Sequence, residues 1–207
     1  MSKRKTTKAD KKKAKKKQAI KQPSKPLGKR LLPGLVIALL GFLIYSNTLG
    51  HSYTLDDFSA IKENFVTKQG AEGISTILNT SYRYGYWKSN GTLYRPLSLV
   101  MFALEWQMAP DSPGLSHFVN VLLYALTGLL LFLTLRRVLK DYTILLPFLA
   151  TLFFIAHPVH VEVVANIKSR DEILAFLFCF GAVYWLWDYL KSNQMKYLGL
   201  ALFSYTL

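Results

Sequence analysis

Residues 31–50 read LLPGLVIALLGFLIYSNTLG, twenty positions without a charged side chain. A helix of that length rises about 30 Å, the thickness of a bilayer's hydrocarbon core. Before it stands MSKRKTTKADKKKAKKKQAIKQPSKPLGKR, residues 1–30, with 14 Lys or Arg and one acid, Asp10. That run has no apolar periodicity and cannot bury a core, so it reads as a disordered basic tail. No small-residue cleavage pattern accompanies the apolar segment, which makes it an uncleaved anchor rather than a removable leader. The formal charge of +14 therefore belongs to the tail, because the other 177 residues carry 12 basic and 11 acidic side chains. A charge so confined does not call for nucleic acid. Lysines beside a membrane helix are drawn to anionic lipid instead.

The remaining composition agrees with a membrane protein: 51% of residues are hydrophobic and the mean hydropathy is +0.20, tail included. Further apolar segments are HFVNVLLYALTGLLLFLTL (117–135), YTILLPFLATLFFIAHPVHV (142–161) and EILAFLFCFGAVYWLWDYL (172–190). A fifth, YLGLALFSYTL (197–207), is incomplete, since eleven residues rise about 16 Å, half of the core. The fold class expected is all-α and polytopic, and the chain is expected to be the N-terminal part of a larger design. The tail, RRVLK after the second span and KSNQMK after the fourth are all basic, which sets the N-terminus and these flanks in the cytoplasm. The loop 51–116 and the stretch from His157 to Glu172 then share the opposite face. Cys179 is the single cysteine, so no disulfide can form within the chain.

The long loop opens with YTLDDFSAIKENFV. Adjacent carboxylates at Asp56 and Asp57 can take a proton from a hydroxyl, hold a cation or cap a helix. Farther on, SYRYGYWKSNGTLYRPLSLVMFALEWQM is rich in tyrosine and tryptophan, the residues of an interfacial belt. Pro96 suits the first position of a helix of about a dozen residues lying along the membrane. Arg95, just before it, is placed to grip a lipid phosphate or to snorkel. Asn79-Thr80-Ser81 and Asn90-Gly91-Thr92 are formal glycosylation sequons. His117, Asn120, Tyr124 and Thr127 recur at helical spacing and make a polar stripe that faces a wet cavity or another helix.

Between the last two complete spans lies FIAHPVHVEVVANIKSRDEILAFLF, 154–178. On a helix His157 and His160 stand about 60° apart while Glu162 points away, so no metal site is expected. Ser169 and Glu172 have the spacing of a capping box ahead of the apolar helix. Lys168, Arg170 and the histidines are not accounted for by capping.

Taken in order, YTLDDFSAIKEN, YRPLSLVMFALEW, HFVNVLLYAL and FFIAHPVHVEVVANIKSRDEILAFLF resemble the transmembrane and tetratricopeptide-repeat O-mannosyltransferase-like proteins, over about residues 31–207. That family sits in the GT-C superfamily beside the protein O-mannosyltransferases. The resemblance implies a GT-C-like fold with a long extracytoplasmic first loop. It implies transfer of a sugar, mannose first among them, from a polyprenyl- or dolichyl-phosphate donor to a hydroxyl of a protein or glycan. Asp56 or Asp57 would be the base. Arg95, Lys168 and Arg170 would hold the donor phosphate, as their charge suggests. His117, Asn120, Tyr124, His157, His160, Glu162 and Asp171 would line the site. A divalent metal is left open. The implied location is a multi-pass membrane position in the bacterial inner membrane or the eukaryotic endoplasmic reticulum. The competing reading is a non-catalytic anchor or scaffold, whose polar residues need not converge; a transporter ranks behind both, for want of paired intramembrane charges.

Overall fold

A computed structural model describes residues 27–206; the expectation of a disordered tail falls largely outside them. The first helix, α1 (Leu27–Tyr45), tightens into a 3₁₀ turn at Ser46–Gly50, and together they supply the expected first span. Proline opens the second, α5 (Pro113–Val138), at a position where a missing N–H costs nothing. α6 (Leu145–Ala156) ends at His157-Pro158 because Pro158 has no N–H to continue the ladder. After a 3₁₀ turn the chain resumes as α7 (Val161–Ala165), so the expected span over 142–161 is a pair of helices bent by 48°. α8 (Arg170–Ser192), preceded by the 3₁₀ turn Ile167–Ser169, closes on Asn193 in the left-handed region at φ 52°. The last helix, α9 (Met195–Thr206), packs along α8, with Tyr197 stacked on Trp185. Among the described residues three helices are long and apolar enough to cross a membrane, or four with the bent pair, and there is no strand. The protein is an all-α polytopic membrane protein.

Two hydrophobic cores organise residues 33–206. Within the bundle, Ile37 and Tyr45 of α1 meet Val121, Tyr124 and Phe132 of α5, Ile155 of α6, Val164 of α7 and Ile173 of α8. Gly128 sits at their tightest approach: a Cβ there would lie 2.9 Å from Ile155 and 3.3 Å from Ile37. Near the far end of α5, Arg137 covers the Tyr184 ring and pairs with Asp188 of α8.

The loop folds into a core of its own. Its elements are a helical turn at Phe58–Lys62, a 3₁₀ segment Thr67–Gly73, α2 (Ile74–Asn79), α3 (Tyr84–Trp87) and α4 (Pro96–Met108). Ala60, Ile61, Val66, Ile77 and Tyr82 pack around Leu99, Phe102 and Ala103 of α4, and Ile167 closes the cluster from the 3₁₀ turn before α8. Proline does open α4, as its sequence predicts. The face carrying Leu99, Phe102 and Ala103 is covered by protein, while Leu104 and Met108 of the same helix stay exposed.

Candidate active site

The acidic pair sits where the chain leaves the 3₁₀ turn after α1 and enters the turn Phe58–Lys62. Thr54 precedes that turn, and Asp57, three residues on, accepts the Thr54 N–H on Oδ2 at 3.0 Å. This is half of a capping box, with aspartate in the usual glutamate position. Oδ1 of Asp57 accepts the Lys168 N–H at 2.8 Å, tying the loop to the segment that starts α8. Asp57 is fully buried. Burial pushes its carboxyl above the ordinary range; the hydrogen bonds from Thr54 and Lys168 oppose this, and the neighbouring Asp56 charge adds to it. Both oxygens are therefore spoken for.

Asp56 points elsewhere. Its Oδ1 lies 2.9 Å from the Arg83 guanidinium, and its side chain stays 48% exposed. Leu55, immediately before it, takes φ 42°, which is costly for a residue with a Cβ, and is itself exposed. Two adjacent aspartates thus have separate surroundings: Asp57 clamps the backbone, and Asp56 reaches a solvent-facing ion pair.

At the start of α8 the expected capping box is not formed. Ser169 holds the N-cap position, but its hydroxyl makes no cap bond. The Lys168 N–H goes to Asp57 and, at 3.2 Å, to the Asn166 side chain, while the Glu172 N–H goes to Asp171 at 3.1 Å. The two N–H groups of a local box thus go elsewhere, that of Ser169 to the Asn166 carbonyl at 3.1 Å and that of Glu172 to the Asp171 carboxylate.

Arg170 is completely buried. Its Nε donates to Asn120 Oδ1 at 2.8 Å, and one Nη donates to Glu105 Oε2 and the Ser116 carbonyl, both at 3.0 Å. The other Nη pairs with Glu105 Oε1, and the guanidinium lies 4.4 Å from the Phe102 ring centre. A cation so enclosed makes no donor-phosphate contact, which corrects the role that its charge suggested. Asn120 also donates to the carbonyls of Asn166 and Ile167, and Tyr124 donates to the Ile155 carbonyl. Asn120 thus ties α5 to the segment before α8, and Tyr124 ties α5 to α6. His117 is buried edge-on to His51 at 5.9 Å.

The other cations stand differently. Lys168 is half-buried, and its ammonium joins no ion pair among the described residues. Arg95 pairs with Asp171, with 40% of the arginine side chain exposed and 9% of the aspartate. The Asp171 hydrogen bond raises the Arg95 pKa. Behind them Tyr82 is buried, and its hydroxyl is pushed up by burial first and then by the Asp171 charge.

Arg95 and Asp171 stand on a groove of about 750 Å³. Its lining is mainly apolar, from Ile74 and Leu78 of α2, Leu97 and Val100 of α4, and Leu174 and Ala175 of α8. Glu172 adds a second carboxylate. His157, His160 and Glu162 are not among its lining. His157 is exposed and accepts the Val159 N–H, His160 packs on Phe154 at 4.5 Å, and Glu162 is exposed on α7. No group of three His, Cys, Asp or Glu that could hold a metal gathers among the described residues.

Sequence reasoning missed two partners. A lone glutamate in the apolar run FALEW has to be paired if buried, so Glu105 was detectable, but its mate 65 residues away was not. Arg83 lies in a tyrosine-rich stretch that masks it as interfacial decoration.

An all-α membrane protein with a folded extramembrane loop, an acidic pair and an apolar groove edged by an arginine is the class defined so far. Sequence comparison narrows it. The chain is 34% identical over 161 residues to protein O-mannosyl-transferase TMTC2 of Homo sapiens, covering 72% of this chain and 18% of that protein. It is 33% identical over 162 residues to TMTC1 of Homo sapiens, 75% and 18% of the two chains. Against protein O-mannosyl-transferase F38B6.6 of Caenorhabditis elegans the figures are 27% over 154 residues, 72% and 22%. By sequence the chain is similar to the TMTC O-mannosyl-transferases, and it spans about a fifth of the length of these relatives. No family model and no solved structure matches it.

Proposed function

We propose that this chain forms part of the active site of a membrane mannosyltransferase that uses a polyprenyl-phosphate mannose donor and a protein hydroxyl as acceptor. The relatives' names support mannosyl transfer to protein. The observation that carries the donor is the groove: an apolar channel between α4 and α8 suits an isoprenoid chain, and Arg95 at its edge suits the phosphate. Lys168, which joins no ion pair among the described residues, supplies a second positive charge, its backbone being joined to Asp57.

Asp56 is the base in this reading, because its carboxylate is half-exposed while both oxygens of Asp57 are occupied. Asp56 takes the acceptor's hydroxyl proton as the acceptor oxygen bonds to the anomeric carbon. The bond from that carbon to the phosphate oxygen breaks, and the electron pair leaves with the phosphate. A phosphodiester needs little acid to depart, whereas an alcohol gains from a positioned carboxylate. Arg95 and Lys168 offset the charge that grows on the leaving oxygen. The face carrying the loop is extracytoplasmic, opposite the basic flanks.

The test is transfer from radiolabelled polyprenyl-phosphate mannose to protein acceptors in membranes carrying the complete reading frame. Asp56→Asn abolishing transfer at normal membrane insertion supports the assignment; transfer equal to wild type removes Asp56 from the reaction.

A further inference from the structure

Asp56 is only as good a base as its aim, and its own backbone does little to set that aim. It follows a residue at φ 42° on an exposed corner, and its carboxylate has no hydrogen bond from its own turn. What holds it comes from another segment. The nearest approach is from an Arg83 Nη to Oδ1, at 2.9 Å, and Oδ2 accepts no hydrogen bond from the described residues.

The segment that presents Arg83 is firmly placed. The Tyr82 N–H donates to the Leu93 carbonyl at 2.8 Å, and the Phe65 N–H donates to the Gly85 carbonyl at 2.9 Å. Gly85 lies so close to Asn64 that a Cβ would stand 1.8 Å from its Oδ1. That Asn64 oxygen accepts the N–H groups of Val66 and Thr67 at 3.1 Å, and the amide donates to the Ser59 carbonyl. The turn bearing Asp56 and the segment bearing Arg83 are thus locked together through Asn64. The Arg83 Nε is buried and makes no hydrogen bond within the described residues. A half-exposed ion pair adds little to stability, so stability does not account for this arrangement.

We infer that Arg83 is a positioning residue for the transfer reaction: it pins Oδ1 of Asp56 so that Oδ2 faces the acceptor hydroxyl. This rests on the reading of Asp56 as the base. In the step itself the proton passes from the acceptor oxygen to Oδ2. The acceptor oxygen bonds to the anomeric carbon as the bond to phosphate breaks, and Arg83 keeps its contact with Oδ1 throughout. Asp57 is less able to substitute, being fully buried with a backbone N–H on each oxygen, from Thr54 and Lys168.

The experiment uses the full-length protein in proteoliposomes, with polyprenyl-phosphate mannose as donor and a serine- and threonine-containing peptide as acceptor. Wild type is assayed first; absence of transfer overturns the donor reading, and this inference with it, before any variant is compared. With wild type active, Arg83→Ala is expected to lower kcat about 100-fold, the scale of a catalytic group misplaced by about 1 Å. Donor KM and unfolding temperature stay unchanged, and Arg83→Lys recovers part of the loss. Arg83→Ala in an Asp56→Asn background is expected to cost nothing further. Wild-type kcat in Arg83→Ala, losses that multiply in the double variant, or a raised donor KM with kcat intact would each overturn the assignment. Should Arg83→Ala fail to insert, Arg83→Gln, which keeps length and polarity, gives the same comparison.

Discussion

Arg170 and Asp171 are neighbours at the start of α8, yet they belong to different regions. Arg170 turns inward, where Glu105, Asn120 and the Ser116 carbonyl meet it out of reach of water. Asp171 turns to the groove, where Arg95 remains partly exposed. The inner junction fastens the loop to the bundle, and the outer one leaves Arg95 partly exposed at the groove. The acidic pair repeats the division, with Asp57 inside and Asp56 outside. Exposure, more than residue type, separates the groups that hold the fold from those that can act.

Four experiments break or sharpen this contrast. The largest effect is expected from Asp56→Asn: transfer falls by about 10²- to 10⁴-fold, the usual contribution of a general base, with the unfolding temperature unmoved. A stability loss instead would place Asp56 with the inner group. Next, Glu105→Gln leaves Arg170 as a buried charge without its counter-ion and should cost about 3–5 kcal/mol, read as a lowered unfolding midpoint in detergent. Replacing both partners, Glu105→Leu with Arg170→Met, should recover most of it; no recovery would mean that the pair does more than fasten. Arg95→Ala should raise donor KM about tenfold or more, from one lost charge-assisted contact of about 1.5–3 kcal/mol, while the midpoint holds. An unchanged KM would detach the groove from the donor.

The smallest effect concerns Asp57. Burial raises its carboxyl above the ordinary 3.8. Between that value and the raised one the folded chain binds more protons than the unfolded chain, so the Asp57 contribution to stability falls as pH rises through that window. Unfolding midpoints from pH 4 to 7 should show this slope in wild type and lose it in Asp57→Asn. Identical slopes would show that burial of Asp57 is not felt.

Much of the bundle was legible because apolar runs are local signals. Residues 117–135 fall inside α5 and 172–190 inside α8. The break at Pro158 was half visible: the proline marks where a ladder must fail, but not the 48° turn that follows. At the site, sequence spacing identified chemically potent residues without their mates. Arg170 looked like a phosphate ligand because a guanidinium's charge is written in the sequence and its burial is not. Asp57 and Lys168, 111 residues apart, meet through a backbone N–H that no side-chain pattern can announce. Ser169 and Glu172 carried a capping signal that closer partners overrode, the Asn166 carbonyl and the Asp171 carboxylate.

Gly128 separates two stages in the making of this protein. A translocon admits a helix for its oiliness, and α5 would pass that test with leucine at position 128 as readily as with glycine. Lipid offers no hydrophobic reward for bringing inserted helices together, so their association depends on close fit. At Gly128 the fit leaves no room for one carbon, with Ile155 2.9 Å and Ile37 3.3 Å from where it would stand. The quality control of this bundle therefore falls after insertion: a Gly128→Leu chain would enter the bilayer with its full set of crossings and then fail to assemble, a membrane protein correctly delivered and never folded.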